Sequence, residues 1–162
     1  MIVPEELFTI GIAVTSLAFI VWLIVRKSRK DRLLNLTLEN LKAMSPKEFE
    51  YVIGEILRRL GYKDVKVIGG SSDLGVDILA YKDGKKVAVQ CKKYTTRKVS
   101  SPEIQLFIGM MITEYKVDKG LYVTTSYYTK DAYKLAKKHK DILEIWSGKT
   151  LAEILLRVQQ KG

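Results

Sequence analysis

The chain predicts an α/β fold: a mixed sheet with helices on both faces, preceded by one separate apolar helix. Three observations predict it. A 19-residue stretch without a charge, Leu7 to Val25, stands apart from all that follows. Two strand-like runs in the middle are joined by Asp83-Gly84, a signature of an antiparallel hairpin. The last third alternates helical and strand patterns, which favours parallel pairing through crossover helices.

At about 1.5 Å per residue, Leu7 to Val25 reaches roughly 28 Å, close to the hydrocarbon thickness of a bilayer. Glu5 and Glu6 precede it; Arg26, Lys27, Arg29, Lys30 and Arg32 follow it. This asymmetry predicts a single transmembrane helix with its N-terminus outside and the rest of the chain on the cytoplasmic face of the cell membrane. A cleaved leader would carry its basic residues in front of the apolar run, and here that flank is acidic. The expected division is therefore 1–32, membrane helix and basic flank; 33–44, juxtamembrane connector; and 45–162, folded domain. Leu34, Leu38 and Leu41 have helical spacing within the connector.

The domain opens with Ser45, Pro46 and Glu48: a cap, a first-turn proline and a capping-box acid. Phe49, Val52, Ile53, Ile56, Leu57 and Leu60 fill one helical face, which Gly61 terminates. Asp64 to Ile68 reads as a strand, and Gly69 to Ser72 as a loop. Val76 to Tyr81 and Lys86 to Tyr94 are the hairpin strands. Ser101 and Pro102 start a helix running to about Tyr115. Gly120 to Thr125 is a short apolar strand, Thr129 to His139 a helix, Ile142 to Trp146 a strand and Lys149 to Val158 a final helix.

The chain has 28 Lys and Arg against 18 Asp and Glu, a net charge of +10. Only five of those basic and three of those acidic residues lie in the first 32, so the excess belongs to the domain. A basic domain concentrates polyanions, although a lysine-rich solvated surface has the same composition. The single Cys91 excludes an intramolecular disulfide, and the single His139 excludes a multi-histidine zinc site in one chain.

Strand alternation sets Gln90 and Lys92 on one face, two residues apart, and the hairpin makes Asp77 their neighbour. Burying Asp, Gln and Lys among valines and alanines is costly unless they are paired or hold a metal. The Asp77 carboxylate and the Gln90 side-chain oxygen are hard ligands suited to Mg²⁺ or Mn²⁺, and the Cys91 carbonyl offers a third. Lys92 would orient or deprotonate a water, or stabilise charge developing on phosphate. Glu50, on the border of the buried helix face, would complete the site. A solvated helix acid is its ordinary alternative. This set suits phosphodiester hydrolysis. Lys93 takes the other strand face, for a structural role or a phosphate contact. Arg97 and Lys98 follow the strand and are placed to touch DNA. Thr125 and Ser126 precede a helix N-terminus, a phosphate-binding position, and Lys130 begins that helix. Capping by Thr129 is the plainer reading there.

The segments "SPKEFEYVIGEILRRLGY", "GGSSDLGVDILAY", "VAVQCKKY" and "GLYVTTSYYTKDA", in that order, resemble the catalytic domain of Mrr-like restriction endonucleases, within the PD-(D/E)xK nuclease superfamily. The resemblance covers about Ser45 to Leu155. It implies a restriction-endonuclease-like fold and places the family's helix glutamate on Glu50, its strand aspartate on Asp77, and its Gln-x-Lys on Gln90 and Lys92. Val76 replaces the proline of the superfamily's name, and Gln90 replaces its middle acid, a change usual in this branch. Asp73 matches a loop acid of the family. The implied activity is metal-dependent endonucleolytic cleavage of DNA, in type IV restriction of foreign or modified DNA. The competing readings are a junction resolvase from a related branch and a non-catalytic nucleic-acid-binding module tethered to the membrane. One cleavage centre cuts one strand, so a double-strand break requires a homodimer or two events.

Overall fold

A computed structural model describes residues 5–34, 36–69 and 75–160, with the side chains of 5–9 and 26–34 outside the described set. Asp73, most of the Gly69 to Ser72 loop and the basic side chains after the apolar run therefore lie outside the described residues.

The elements run α1 (Glu5–Leu34), α2 (Leu38–Ala43), α3 (Pro46–Arg59), β1 (Lys63–Val67), β2 (Ile78–Lys82), β3 (Lys85–Lys92), α4 (Ser101–Thr113), β4 (Lys119–Thr124), α5 (Lys130–Lys138), β5 (Leu143–Trp146) and α6 (Gly148–Gln160). The five strands lie in sequence order across one sheet. β1, β2 and β3 pair antiparallel, whereas β3, β4 and β5 pair parallel. This is the mixed sheet expected from the hairpin and the alternating elements.

Both faces are covered. Ile78, Ala80, Val87, Val89, Leu121 and Val123 form one core with α2, α3 and α6. Ala88 and Tyr122 form the second with Ile104, Phe107 and Met111 of α4 and Ala132 and Ala136 of α5. The two faces alternate along β3 and β4, as the two-residue period of a strand requires. α3 shows the expected capping box, with the Glu48 carboxylate accepting from the Ser45 N–H at 2.9 Å. A cap contributes about 1 kcal/mol. Each fully buried side chain such as Phe49 or Ile53 contributes about 1.5–3 kcal/mol, so burial of the apolar face dominates. Gly61, at φ +84°, ends the helix where a side chain would be strained.

One expectation is corrected. Residues 36–44 are not a free connector. Leu36 and Leu41 are buried in the first core, and Gln159 of α6 donates to the Leu36 carbonyl at 2.8 Å. Thr37 caps α2 with Asn40 completing the box. The helix after β3 starts at Ser101 and Pro102 as expected, and Ser100 before it is the cap, with Glu103 accepting from both its N–H and its hydroxyl.

The expected membrane span is described only in part. Leu7 to Val25 is helical within α1, and its described side chains, Ile10 to Val25, are all exposed. Those 16 residues cover only about 24 Å, and among the described residues no helix is long and apolar enough to cross a membrane. The first three side chains of the expected span lie outside the described set.

Candidate active site

The site forms where β1 ends, β2 begins and β3 approaches its C-terminus. Asp77 immediately precedes β2 and its backbone is held from both sides. Its N–H donates to the Val89 carbonyl at 2.8 Å, and its carbonyl accepts from Ile68 and Gly69 at 2.8 and 3.1 Å. The β2–β3 register, Ile78 opposite Val89 and Leu79 opposite Ala88, sets Asp77 opposite Gln90 when extended by one residue. The side chains meet accordingly. Gln90 Nε2 donates to Asp77 Oδ2 at 2.7 Å, and the Cys91 N–H donates to the same oxygen at 2.6 Å.

Asp77 is 5% exposed and Gln90 4%. A carboxylate that deep is tolerated because it accepts two short hydrogen bonds. Lys92 follows on the same face of β3 and is half-buried.

Glu50 reaches the site from α3, across the end of β1. Its carboxylate lies where a Cβ on Gly69 would be, with Oε1 at 3.3 Å from that position and Oε2 closer still. Gly69 in turn donates its N–H to Asp77. The charges nearby act on the Cys91 thiol. Burial pushes that thiol well up from its ordinary 9.0; the Asp77 and Glu50 carboxylates push it further, and the Lys92 ammonium pulls it down. Of the four residues expected to form a catalytic set, Asp77 and Gln90 are in direct contact, Glu50 lies over Gly69, whose N–H is bonded to Asp77, and Lys92 follows Gln90 by two residues on β3.

Their donors toward a cation are all oxygen, which suits a hard divalent ion. Among the described residues there is no group of three or more His, Cys, Asp or Glu side chains arranged to hold a metal. Gln90, a neutral amide, occupies the place where a third acid would complete such a group. Its oxygen lies 3.0 Å from the position of a Cβ on Gly75.

The residues expected to touch DNA divide into two sets. Lys93 donates its ammonium to the Lys42 carbonyl at 3.1 Å, tying the end of α2 to β3. Thr125 and Ser126 are 1% and 3% exposed. The Thr125 hydroxyl donates to the Tyr94 carbonyl at 2.8 Å, and the Ser126 N–H donates to the Thr124 hydroxyl at 3.2 Å. Thr125 and Ser126 are thus withdrawn from solvent, Lys93 is half-buried, and Thr129 caps α5. Arg97, Lys98 and Lys130 are exposed.

Sequence reading missed the clamp that shapes the loop carrying Arg97 and Lys98. The Tyr94 hydroxyl donates to Glu103 at 2.6 Å, the Arg97 guanidinium lies 3.4 Å from Glu103 and 4.9 Å from the centre of the Tyr94 ring. Burial alone would raise the Glu103 carboxyl, but hydrogen bonds from Tyr94 and Ser100, with Arg97 nearby, outweigh it and lower it. Burial and the bond to Glu103 push the Tyr94 hydroxyl to about 12. The Ser100-x-x-Glu103 spacing was a readable capping signal. The Tyr94 contact was not, because it depends on how the loop closes.

The restriction endonuclease family Mrr_cat matches residues 41–155. The chain is 31% identical over 137 residues to the type IV methyl-directed restriction enzyme EcoKMrr of Escherichia coli strain K12, a match covering 80% of this chain and 44% of that enzyme. It thus spans less than half the length of this curated relative. Among solved structures, the DNA modification-dependent restriction endonuclease AspBHI superimposes with a TM-score of 0.57 at 20% identity, covering 80% of this chain and 35% of that one. The MspJI restriction endonuclease in complex with a 27-mer oligonucleotide gives 0.54 at 20% identity, covering 74% and 30%. These two show a shared fold.

Proposed function

The chain belongs to the Mrr_cat family of restriction endonucleases, and from that premise we propose that it is a divalent-metal-dependent endodeoxyribonuclease, using Mg²⁺ or Mn²⁺ to restrict foreign or modified DNA. The observation that carries this reading is the Asp77–Gln90 pair buried in the sheet, with Lys92 two residues on and Glu50 over Gly69.

Asp77, the Gln90 oxygen and the Cys91 carbonyl would hold the cation, with Glu50 beside them. When bound, it supplies a Lewis acid that polarises a phosphoryl oxygen and acidifies a water. Gln90 now offers its amide nitrogen to Asp77, so a half-turn of the amide is needed to present its oxygen. Lys92 orients the attacking water and stabilises the charge that grows on phosphate. Glu50 either completes the cation site or accepts the water's proton. Arg97 and Lys98 contact the backbone of the DNA beside the cut.

The test is plasmid nicking by the full chain with Mg²⁺ or Mn²⁺, on methylated and unmethylated DNA. Cleavage that Asp77→Ala and Lys92→Ala abolish supports the reading. Binding without cleavage in any metal would replace it by the tethered binding module.

Two finer parts of the reading have their own support. The exposed apolar side chains of α1, from Ile10 to Val25, support attachment to the cell membrane, and the basic residues that follow them in sequence support a cytoplasmic domain. Recovery of the full chain in the soluble fraction would remove that part. On α4, Leu106 and Ile112 are exposed and a Cβ on Gly109 would meet open space. This supports pairing of two copies to cut both strands, which sedimentation of the full chain would test.

A further inference from the structure

A groove of about 600 Å³ runs between α5 and the start of α6, lined by Tyr127, Lys130, Tyr133, Lys134, Ile145 and Thr150. This is within the roughly 300–1,000 Å³ range of ligand sites. Two large rings stand open at its rim: Tyr127 is 63% and Tyr133 59% exposed. Lys130 and Lys134 of α5 line the groove with them, and Asp131 lies 4.0 Å from Lys134. Tyr128 lies deeper, with its hydroxyl donating to the Tyr122 and Trp146 carbonyls, so it serves the fold. Exposed aromatic faces interleaved with lysines are the chemistry that binds single-stranded nucleic acid, where unpaired bases stack and phosphates meet cations. A duplex offers no such faces, because its bases stack on one another.

The groove's rim is tied by backbone hydrogen bonds to the loop that leaves the end of β3. The loop leaving β3 after Lys92 carries Arg97 and Lys98, and its Val99 is fastened to the groove's rim. Val99 N–H donates to the Tyr127 carbonyl and Thr129 N–H to the Val99 carbonyl, both at 2.9 Å. The loop that bears these two cations is thus fixed to the segment that carries Tyr127.

We propose that this groove holds unpaired nucleotides of a DNA strand next to the cleavage point, with bases stacked on Tyr127 and Tyr133 and phosphates on Lys130 and Lys134. The proposal rests on the nuclease reading for the identity of the polymer and adds an affinity for frayed or single-stranded segments.

The test uses the full chain without divalent metal and a fluorescent oligothymidylate of about 12 nucleotides, followed by anisotropy. Tyr127→Ala and Tyr133→Ala should each weaken binding about tenfold, while Tyr127→Phe and Tyr133→Phe stay within about twofold of the parent, since stacking needs the ring and not the hydroxyl. Leu156→Ala, exposed on α6, is the control and should bind as the parent does. Affinity for a relaxed, covalently closed circular duplex should not change in the tyrosine variants. Single-strand affinity indifferent to Tyr→Ala, or an equal loss on that duplex, would overturn the proposal. The assay contains no cleavage step. A chain that binds single strands in this way yet never nicks a plasmid would leave the groove standing and remove the nuclease reading.

Discussion

The carboxylate of Glu50 occupies the space that a Cβ on Gly69 would fill, so the residue at the end of β1 must be glycine for the helix acid to reach the strand acid. Gly69 also donates its N–H to the Asp77 carbonyl. One residue thus couples the position of α3 to that of the strand carrying Asp77.

Gly69→Ala separates these roles. The clash is with the far end of a flexible side chain, so Glu50 moves and the backbone stays. DNA cleavage should fall at least about tenfold, while the melting temperature changes by no more than about 2 °C. A variant that melts far lower would place the clash in the backbone instead.

Gln90→Glu tests the cation site without substrate. It sets a second carboxylate against Asp77 Oδ2, where the amide nitrogen now sits at 2.7 Å. In chelator the two charges repel and the protein is destabilised; a divalent ion between them reverses this. The expected result is a lower melting point than the parent in EDTA, with a larger rise on adding Mn²⁺ or Mg²⁺. Equal metal-induced shifts in the two proteins would argue against a cation at Asp77.

Lys92→Ala removes a half-buried ammonium that faces the Asp77 side of β3. Plasmid nicking should drop at least about a hundredfold, with circular dichroism and melting temperature near the parent's. Retained nicking would detach Lys92 from the chemistry.

Two pH effects follow from the perturbed groups. The folded-state value of Cys91 lies above the ordinary 9.0, so its contribution to stability is full below pH 9.0 and is lost as pH rises toward the folded value. Cys91→Val should flatten that alkaline decline in thermal melts, and the native thiol should resist iodoacetamide. Glu103 is shifted the other way, below 4.5. Its contribution is present above that value and lost as pH falls through the lowered one. Between about pH 6 and about pH 3 the parent should lose more stability than Glu103→Gln.

Leu41→Ala probes where the domain begins. Leu41 is fully buried in the core shared by α3 and α6, so the truncation should cost roughly 2–5 kcal/mol, about 10 °C in melting temperature. A loss as small as that of a surface substitution would return residues 36–44 to the status of a linker.

The sequence alone determined the elements and part of the site. Period-two alternation set Gln90 and Lys92 on one face, Asp83-Gly84 paired their strand with the one behind Asp77, and Ser45, Pro46 and Glu48 marked the start of α3. These are local signals, written within a few residues of where they act. Only the tertiary structure decided the rest. The contact between Glu50 and Gly69 spans helix and strand. Lys93 bonds to Lys42 and Thr125 to Tyr94, carbonyls far along the chain that the packing of α2 and of the parallel strands brings close. Leu36 and Leu41 look like part of a linker until α6, more than a hundred residues later, folds back over them. A side chain's chemistry is legible in sequence, but whether it faces solvent, a carbonyl or a cation depends on what packs beside it.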